Sequence, residues 1–600
     1  MSYKHFINDP THLVNTALQS ITLTNPSVAL DATNKVIYRR PSPSSSNDGK
    51  PTVSIVSGGG SGHEPSFAGM VGQGLLSAAV AGTIFASPSA EQIRAAITSR
   101  VDHEAGVLVT VMNYTGDVLN FGVAVEKARA AGARVEMVVV GDDVGVGRAK
   151  AGKVGRRGIA GTVLVHKISG ALAAQGYGLD DVARVARLVA ANLVSVGASL
   201  EHVHVPGRVV SKKDEQGALA DDEVELGMGI HNEAGSGRER AELPGLVGKM
   251  LRQLLDQEDK DRAFLNVNSN EVVLLINNLG GLSVLELGGI LTEVVQQLDK
   301  DYGVKPVRIL CGTYMTSLNG AGFSISLLNV VNTDIGGPSM IQLLDYPCEA
   351  TGWAAPISKE TWEEKNTATR EGTASAEQKV DASGLEYDAA AATKALKVGL
   401  EHVVAAEPDV TRFDSVVGDG DCGIGLKRGA QAVLDHLAKE HLKGDAVIDV
   451  ASIATIIEMA MDGTSGALYA IFLNALVHAL STLAPGQATN KTWAAALKKS
   501  CDALSKYTPA RPGDRTLVDA LYPFVDILGE TGDVKQAAEA SKAAAEGTKG
   551  MAASLGRTVY VGGEGFQQVP DPGAWGLACF FLGVAGLESP KPSEEGWETV

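Results

Sequence analysis

Three aspartates, Asp414, Asp419 and Asp421, lie within eight residues of one another in a glycine-rich stretch of the chain. Carboxylates packed this closely repel one another unless a cation lies among them, and magnesium bound to nucleotide phosphates is a suitable occupant. The spacing does not fit an EF-hand, and the bidentate glutamate of that loop is missing. The three aspartates are therefore candidate metal ligands, with a solvated acidic turn as the alternative.

A glycine cluster, Ser57-Gly-Gly-Gly-Ser-Gly-His-Glu-Pro65, follows directly after a predicted strand. Consecutive glycines allow backbone N–H groups to converge on a ligand, and His63 adds a group that titrates near neutral pH. The cluster is not a Walker A loop, because no Lys-Ser or Lys-Thr pair follows it. We interpret it as a ligand-binding loop; a flexible turn with an incidental histidine is the alternative.

Two further residues could act on a bound ligand. Asp117 lies just past a predicted strand at 106–112, where open α/β sheets bind ligands, although aspartate is equally favoured as a helix N-cap. His231 lies among glycines in the segment 227–235, and a lone histidine is more often structural than catalytic. The residues alone leave both alternatives open.

Glycine-rich turns also flank predicted helices in the second half of the chain, at 462–466, 512–516 and 571–573. Helix N-termini direct N–H groups outward, so these turns could bind phosphates beside a metal ion. The segment 147–154 matches most of the P-loop spacing, but its last residue, Val154, cannot bind magnesium as Ser or Thr would. The sequence contains no dinucleotide-binding fingerprint.

Hydrophobic patterning predicts the elements that must position these residues. In the first half of the chain, buried strands alternate with helices in a βαβ rhythm, which is typical of an α/β fold. The predicted strands are 52–56, 106–112, 133–140, 271–277, 307–310 and 323–331, and the predicted helices among them are 89–100 and 119–131.

Beyond residue 387, alanine-rich helical periodicity replaces the strand patterns. The predicted helices are 389–406, 426–442, 450–461, 467–483, 493–507, 517–528 and 534–553. The segment before them has no hydrophobic period and is typical of a linker. The predicted domains are an α/β domain at 1–355 with two subdomains divided near 200–225, a linker at 356–387, an all-helical domain at 388–590 and a tail at 591–600.

The composition indicates which kinds of ligand and which cellular compartment we expect for this chain. The chain has 600 residues with 70 acidic and 52 basic side chains, a net charge of −18 that disfavours nucleic acid. Its five cysteines are scattered without a C-x-x-C pair, which is typical of a reduced, cytoplasmic protein. We find no signal peptide and no uninterrupted apolar run of about 18 residues, so no membrane span is predicted.

Taken in order, these motifs closely resemble the fused, ATP-dependent dihydroxyacetone kinases over nearly the whole chain. The resemblance implies a K domain that binds dihydroxyacetone, a linker, and an L domain in which a helical barrel binds ATP. It further implies that the chain phosphorylates dihydroxyacetone with ATP and magnesium, that D-glyceraldehyde is a second substrate, and that the protein is a homodimer with domain-swapped contacts.

The resemblance also implies roles for individual residues. His231 would hold the ketone as a covalent hemiaminal, His63 would hydrogen-bond the substrate and assist proton transfer, and Asp117 would contact a substrate hydroxyl. The substrate loop would comprise Gly60, Ser61, Gly62 and His63, and Asp414, Asp419 and Asp421 would bind two magnesium ions. The implied nucleotide-binding residues are Cys422, Gly423, Ile424, Gly425, Thr464, Ser465, Thr516, Leu517, Arg557, Asp571, Pro572 and Gly573.

Two positions depart from the family pattern. Met112 stands where relatives commonly have a lysine, so a lysine contact to the substrate does not carry over, and Cys422 stands where bacterial L domains often have histidine. Two other functions stay open: an additional FAD-AMP lyase activity that forms cyclic FMN, and a regulator that binds a ketose without phosphorylating it. The aspartate trio argues against the regulator, because a sensor needs no two-metal site.

Overall fold

A computed structural model describes residues 4–41, 51–208, 218–267, 271–370, 380–555 and 567–589. The chain forms two compact units, Met1–Thr369 and Arg370–Val600. The first contains two six-stranded sheets with helices, and the second is mostly helical. The predicted succession of an α/β part and a helical part is therefore confirmed.

The first sheet of the N-terminal unit is mostly parallel. Its strands are β1 Val28–Asp31, β2 Val36–Arg39, β3 Ser54–Ser61, β4 Ala78–Ile84, β5 Val107–Met112 and β6 Val135–Val140. They lie in the order β1-β2-β4-β3-β5-β6, in which β1 and β2 form an antiparallel hairpin and β2 also pairs antiparallel with β4. The four neighbouring strands β4, β3, β5 and β6 run parallel, so their carboxyl ends lie at the same edge of the sheet.

Helices cover both faces of this sheet. They are α1 Pro10–Thr24, α2 Ala90–Ala95 with a π-helical turn to Arg100, α3 Thr115–Ala130, α4 Arg148–Ala151, α5 Thr162–Ala174 and α6 Leu179–Ala191. The helices α2 and α3 pack with Val56 and Val109, whereas α1, α5 and α6 pack with Ile55 and Leu108. Successive strand residues point to opposite faces, which explains why the buried strands are uninterrupted apolar runs.

The glycine cluster is part of a strand and not the loop predicted from the sequence. The strand β3 continues through the glycines to Ser61, and every residue in it is buried. A β-carbon on Gly58 would lie 2.3 Å from the carbonyl oxygen of Val80, and one on Gly60 would lie 2.7 Å from the amide nitrogen of Ala86. Glycine is required there because β4 and the segment after it pass too close for any side chain.

The second sheet is mostly antiparallel. Its strands are β7 Leu193–Ser199, β8 Val224–Leu226, β9 Gly237–Glu239, β10 Val272–Asn278, β11 Arg308–Gly312 and β12 Gly322–Asn329. They lie in the order β11-β10-β12-β7-β8-β9, and only β10 and β11 pair in parallel. Its helices are α7 Leu243–Leu255, α8 Val284–Tyr302, α9 Met340–Asp345 and α10 Lys359–Glu364.

The helices α5 and α6 share one apolar core with both sheets. The second sheet begins at Leu193, before the division near 200–225 that we predicted from the sequence. The helix α5 is buried on all sides, including His166 and Lys167. The sequence of this enclosed helix is mostly apolar, and its charged and aromatic polar side chains have partners: Lys167 donates to the carbonyls of Leu343 and Tyr346, and His166 contacts Ser57.

The C-terminal unit consists of eight helices in its described part, with two very short strands. The helices are α11 Ala389–Val417, α12 Cys422–Lys439, α13 Ala446–Ala460, α14 Gly463–Ser481, α15 Asn490–Leu504, α16 Val518–Thr531, α17 Val534–Gly547 and α18 Pro572–Val584. Each helix packs against the next, and α18 packs against α11. The strand β13 Leu385–Glu386, inside the predicted linker, pairs with β14 Gly486–Gln487 and so belongs to this unit.

These helices surround an apolar cavity of about 450 Å³, and side chains from all eight line it, from Leu400 on α11 to Phe580 on α18. Among the described helices, α14 alone is long and apolar enough by composition to cross a membrane. Its residues Leu468, Phe472 and Leu476 line the cavity. The apolar surface of α14 thus has a place inside this unit.

We expect Gly60→Ala to lower the free energy of unfolding by about 1–3 kcal/mol, because the new methyl group would collide with backbone atoms. Gly122→Ala is the matched control: it lies within α3, a β-carbon there meets nothing within 4 Å, and the change should stabilise by about 0.5–1 kcal/mol. Urea unfolding of the full chain measures both. Equal stability of the two variants would contradict the close approach of β3 to the Phe85–Ala86 segment.

Acid should destabilise the N-terminal unit through His166. Burial lowers the pKa of His166 to about 3, and its Nε2 lies 3.1 Å from the hydroxyl of Ser57. Below about pH 6.5, His166 binds a proton in the unfolded chain but not in the folded chain. The free energy of unfolding therefore falls as the pH drops from about 6.5 towards 3. We expect His166→Leu to remove up to about 1.4 kcal/mol per pH unit of this dependence, measured by urea unfolding between pH 7.5 and 5. Parallel slopes for the two proteins would show that folded His166 takes up the proton.

Candidate active site

Two histidines from different sheets meet in the N-terminal unit. His63 follows β3 of the first sheet, and His231 lies in the connection between β8 and β9 of the second. Their Nε2 atoms are 3.0 Å apart, and their ring planes are nearly perpendicular. His63 is fully buried, whereas the side chain of His231 is 18% exposed. The pair therefore presents two ring nitrogens to one point that a small ligand could reach.

The segment between β11 and β12 positions His63. The backbone of Thr316 accepts a hydrogen bond from Nδ1 of His63 at 2.8 Å and donates one to the His63 carbonyl at 3.1 Å. The next residue, Ser317, donates its hydroxyl to the carbonyl of Ile230, beside the second histidine. Buried Asn277 accepts from the amides of residues 314 and 315 and so fixes the start of this segment. One segment thus holds both histidines in register.

The loop of His231 is held by side chains on either side of it. Asn232 has a left-handed backbone with φ of 65°, which asparagine tolerates, and its amide pairs with the backbone of Val203. The carboxylate of Glu233 accepts from the His231 amide at 3.0 Å and from Nδ1 of His231 at 2.9 Å. Both the position and the ring orientation of His231 are therefore fixed.

These partners determine which ring nitrogens are free. A carbonyl oxygen and a carboxylate only accept hydrogen bonds, so Nδ1 carries the hydrogen in both rings and the two Nε2 atoms face each other. Burial, together with the neighbouring charge of His231, lowers the pKa of His63 to about 3. His63 is therefore a poor holder of a proton, and His231 has a nucleophilic lone pair whenever its own Nε2 is unprotonated.

Aromatic rings enclose His231 on its other sides. The rings of Phe85 and Tyr114 lie edge-on to it, with centroids 5.1 and 4.7 Å away. Phe85 has a φ of 60°, a strained value for a bulky residue, which is common at functional sites. The hydroxyl of Tyr114 is buried without a hydrogen-bond partner. A ligand hydroxyl could satisfy it.

Asp117 lies in the first turn of α3, and its Oδ1 is buried without a partner. Burial raises the pKa of Asp117, while a hydrogen bond from Ser87 and the charge of His231 oppose that change. Asp117 is not the N-cap of α3, which is Tyr114. The N-cap alternative is therefore wrong, and the free carboxylate oxygen is available to a ligand.

The remaining residues of the predicted substrate loop have partners within the protein. Ser61 donates its hydroxyl to the carbonyl of Gly82, and the Gly62 amide donates to the carboxylate of Glu64. A β-carbon on Gly62, where φ is +103°, would lie 2.8 Å from the ring of Phe85. Gly60 and Gly62 thus make room for the Phe85 segment beside the histidines.

The three aspartates lie together at one end of the helical unit. Asp414 is buried at the end of α11, and Asp419 and Asp421 lie in the turn before α12, with one carboxylate oxygen of each within 4.8 Å of the others. Burial raises the pKa of Asp414, and the charges of Asp419 and Asp421 raise it further. Oxygen donors that repel one another in this way fit a hard divalent cation such as magnesium.

Four helix N-termini converge on this end. The hydroxyl of Ser465, at the start of α14, lies 3.9 Å from the sulfur of Cys422 at the start of α12. The start of α18 at Gly573 packs against Leu517, which caps α16. The pKa of Asp571, the N-cap of α18, is raised to about 6, mainly by burial and in part by the charge of Asp414. Unpaired amides at helix N-termini favour anions, so this end could hold phosphates beside a cation.

The predicted nucleotide residues are therefore mostly neighbours. Those in the described part of the chain lie at the four helix starts: Cys422, Gly423, Ile424 and Gly425 at α12, Thr464 and Ser465 at α14, Thr516 and Leu517 at α16, and Asp571, Pro572 and Gly573 at α18. Arg557 lies outside the described residues.

The structure adds residues that sequence reasoning missed. Glu233 follows His231 by two positions, and an acidic residue that close to a candidate nucleophile was a usable signal. Tyr114 gave none, because its contact with His231 joins different sheets. Arg515 is 2% exposed and donates to the carbonyl of Val569, while its Nε and one terminal nitrogen are unpaired. Its charge lies close enough to Asp571 to oppose the raised pKa of that carboxylate.

Comparison with known proteins places the chain among characterised relatives. Residues 19–352 match the Dak1 domain model, and residues 416–586 match the DAK2 domain model. The chain is 43% identical to the dihydroxyacetone kinase of Pichia angusta over 610 residues, which covers 98% of each protein. It is 35% identical over 601 residues to the triokinase/FMN cyclase of Homo sapiens, covering 97% of this chain and 98% of that protein.

Two solved structures are also similar. The dihydroxyacetone kinase from C. freundii in complex with AMP-PNP and Mg2+ gives a TM-score of 0.61 at 31% identity, covering 98% of this chain and 100% of that one. The dihydroxyacetone kinase operon co-activator Dha-DhaQ gives a TM-score of 0.50 at 30% identity, covering 57% of this chain and 99% of that one. The full-length match includes the helical unit.

We expect magnesium to raise the melting temperature of the chain, because a bound cation relieves the repulsion among the three aspartates. Asp414→Asn should abolish this effect and should be at least as stable as the unmodified chain without magnesium, since one buried charge is gone and the amide oxygen can still accept from Cys422. Asp435→Asn, on the exposed side of α12, is the control. Thermal unfolding with and without magnesium checks this, and undiminished stabilisation of Asp414→Asn would exclude the trio as the cation site.

Proposed function

Because the chain belongs to the dihydroxyacetone kinase family, whose members are ATP-dependent phosphotransferases, we propose that it transfers the γ-phosphoryl group of ATP to dihydroxyacetone held covalently on His231. The observation that carries the proposal is the pair of facing Nε2 atoms, 3.0 Å apart, beside the unpaired carboxylate oxygen of Asp117. That arrangement offers a nucleophile, a proton carrier and a hydroxyl acceptor to one small molecule.

Covalent capture explains how the site would select a ketose. Dihydroxyacetone and glycerol are similar in size, so a pocket that discriminates by shape alone would separate them weakly. Only the ketone has a carbon that a nitrogen lone pair can attack. The aldehyde carbon of D-glyceraldehyde can be attacked in the same way, and we propose it as a second substrate.

The roles of the neighbouring residues follow from their contacts. His63 can pass a proton to the former carbonyl oxygen, because its Nε2 faces Nε2 of His231 and its low pKa favours release of a proton that it has received. Asp117 would accept the proton of the substrate hydroxyl that attacks the phosphorus. Gly60, Ser61 and Gly62 would shape the wall beside the substrate. Met112 is buried in the core under the first sheet, so it supplies no charge at the position where relatives have lysine.

We propose that the helical unit binds the nucleotide at its four converging helix N-termini. A relative of this chain has been solved with AMP-PNP and Mg2+, and here Asp414, Asp419 and Asp421 offer the oxygen ligands for two such ions. Bound magnesium would neutralise charge on the phosphates during transfer. The helix starts would hold the phosphate oxygens through backbone N–H groups. The closed sequence of helix contacts supports a barrel as the form of this unit.

The wider organisation follows the same family pattern. We assign residues 1–355 as the substrate domain, 356–387 as a linker whose last residues, Leu385–Glu386, pair with the nucleotide domain, 388–590 as the nucleotide domain and 591–600 as a tail. We further propose a cytoplasmic location, supported by five cysteines that are all free, and a homodimer with swapped contacts. Sedimentation of the purified chain tests the dimer, and a monomer at all concentrations would exclude it.

The two alternative functions differ in their support. The relative in Homo sapiens carries the name triokinase/FMN cyclase, which favours a test for manganese-dependent release of cyclic FMN from FAD. The co-activator resembles 57% of this chain. The helical unit with its aspartates favours the kinase over a ketose-binding regulator.

We expect the purified chain to phosphorylate dihydroxyacetone and D-glyceraldehyde, but not glycerol, with ATP and magnesium, in a coupled assay that follows ADP. His231→Ala should lose the activity by at least about 100-fold, because the substrate is then no longer held or polarised. His202→Ala is the matched control, since His202 also pairs with a glutamate but lies away from His63. Phosphorylation of glycerol at the same rate would contradict covalent selection, and absence of all transfer would refute the kinase.

A further inference from the structure

We propose that Glu233 is a positioning residue for covalent capture: it fixes the His231 ring with Nε2 free to attack, and it stabilises the positive charge that the ring bears in the hemiaminal. This inference rests on the proposed function and adds a residue to it. No role for Glu233 follows from the sequence motifs, and the residue touches His231 rather than the substrate.

The geometry of Glu233 suits this role. One carboxylate oxygen accepts from Nδ1 of His231 at 2.9 Å, and the other accepts from the backbone N–H of the same residue at 3.0 Å. The amide of Gly229 in turn donates to the Glu233 carbonyl. Burial alone would raise the pKa of Glu233, but the hydrogen bonds and charge of His231, with the charge of Arg157, lower it to about 2. Glu233 is therefore a carboxylate at every working pH.

The surroundings preserve that carboxylate. A β-carbon on Gly229 would lie 2.0 Å from an oxygen of Glu233 and 2.6 Å from a terminal nitrogen of Arg157, so glycine leaves space for both groups. Arg157 is held by an ion pair with buried Asp143 at 2.7 Å. The charge of this fixed cation helps to keep Glu233 ionised.

The hydrogen bonds of His63 and His231 indicate where an extra proton would lie. Because both Nδ1 atoms carry hydrogens, two neutral rings would bring two Nε2 lone pairs within 3.0 Å of each other. One additional proton between the rings turns that repulsion into a hydrogen bond. The pair that can capture a ketone is the one that holds a single extra proton between the two Nε2 atoms.

The capture step balances with that single proton. The proton moves to His63 as the lone pair on Nε2 of His231 forms a bond to the carbonyl carbon and the π electrons of the carbonyl move to its oxygen. His63 then gives the proton to that oxygen. The product is a hemiaminal with a hydroxyl group, a neutral His63, and an alkylated, positively charged His231 ring whose Nδ1–H stays hydrogen-bonded to the Glu233 carboxylate.

The position of the charge explains why the carboxylate matters. Before capture, the two rings share the charge, whereas afterwards it lies wholly on the His231 ring, in direct contact with Glu233. A negative charge at that contact therefore favours the adduct over the free ketone. A ligand without a carbonyl moves no charge onto His231 and gains nothing from Glu233.

Glu233→Gln tests this, because glutamine keeps one oxygen acceptor for Nδ1 but removes the charge and, with it, the second acceptor that binds the His231 amide. Charge-assisted hydrogen bonds contribute about 1.5–3 kcal/mol, so we expect the KM for dihydroxyacetone to rise about 10- to 100-fold. Once the substrate is captured, transfer proceeds as before, so kcat and the KM for ATP should change by less than about threefold. Glu233→Asp, which restores the charge, should recover part of the loss.

Glu225→Gln is the matched control. Glu225 is a buried carboxylate of the same sheet that accepts from Nε2 of His202 at 2.6 Å and from the Gly235 amide at 2.9 Å. The Glu225→Gln variant thus removes the charge from an equivalent histidine–carboxylate contact, and Glu225 itself makes no contact with His231. We expect its KM for dihydroxyacetone to stay within about threefold of the unmodified chain.

Binding measurements separate this inference from the proposed function. With dihydroxyacetone labelled with 13C at the ketone carbon, the unmodified chain should give a protein-bound tetrahedral carbon signal, and Glu233→Gln should need correspondingly more ligand to give it. Glycerol affinity, measured by calorimetry, should be the same for both proteins.

An unchanged adduct in Glu233→Gln, or an equal loss of glycerol binding, would overturn the role of Glu233. Absence of the adduct from the unmodified chain would instead overturn the proposed function. If Glu233→Gln does not fold, the same titration of Glu233→Asp decides: an affinity below that of Glu225→Gln supports the role, and an equal affinity refutes it.

Discussion

The contact between His63 and His231 is the constraint on which the N-terminal unit depends. The two rings come from separate sheets, so their 3.0 Å approach requires both sheets to be held in a fixed relation. The segment from Tyr314 to Leu318 provides that relation, because consecutive residues bond to the two histidine-bearing segments. The core that α5 and α6 share with both sheets keeps the segment from shifting. The buried hydrogen bonds of this one segment thus define the position of a few ring atoms.

The helical unit concentrates charges of opposite sign at one end. Its three aspartates gather negative charge at one end, where four helix N-termini gather partial positive charge. The buried guanidinium of Arg515 lies behind Asp571 and opposes the same excess of carboxylates. Phosphates and magnesium together would complete this balance. The acidic composition of the chain is therefore compatible with anionic ligands, because helix N-termini and metal ions, and not the net charge of the chain, would bind them.

The sequence predicted the order of the elements and the family, and the comparisons confirm the family. Long buried strands such as β5 and β10 were predicted correctly, because an apolar run flanked by turns has few other interpretations. The short strands β1, β2, β8 and β9 were missed, since three or four residues carry too little pattern. The seven-residue strands β4 and β7 were missed as well, because they are rich in alanine, glycine and serine, which are weak strand signals. The helix α18 was also missed, as its sequence is almost uniformly apolar and shows no amphipathic period.

The residues around the histidines show where sequence reasoning reaches its limit. The glycines at 58–60 were interpreted as a ligand loop, but their need for space arises from β4 and Phe85, which are distant in the chain. The facing of two ring nitrogens is likewise a tertiary fact, set by Thr316 and Glu233. Local motifs identified which residue types could react, whereas the directions of their lone pairs depended on partners from other elements.

The passage of the Phe85 segment against Gly60 and Gly62 also limits how this site can evolve. Any side chain at either glycine would strike backbone or ring atoms, so mutation cannot reshape that wall, and a duplicated copy of the gene would inherit it unchanged. Under the function proposed above, a change in substrate specificity would therefore have to begin at other residues around His231, such as Tyr114 or those of the 227–235 loop.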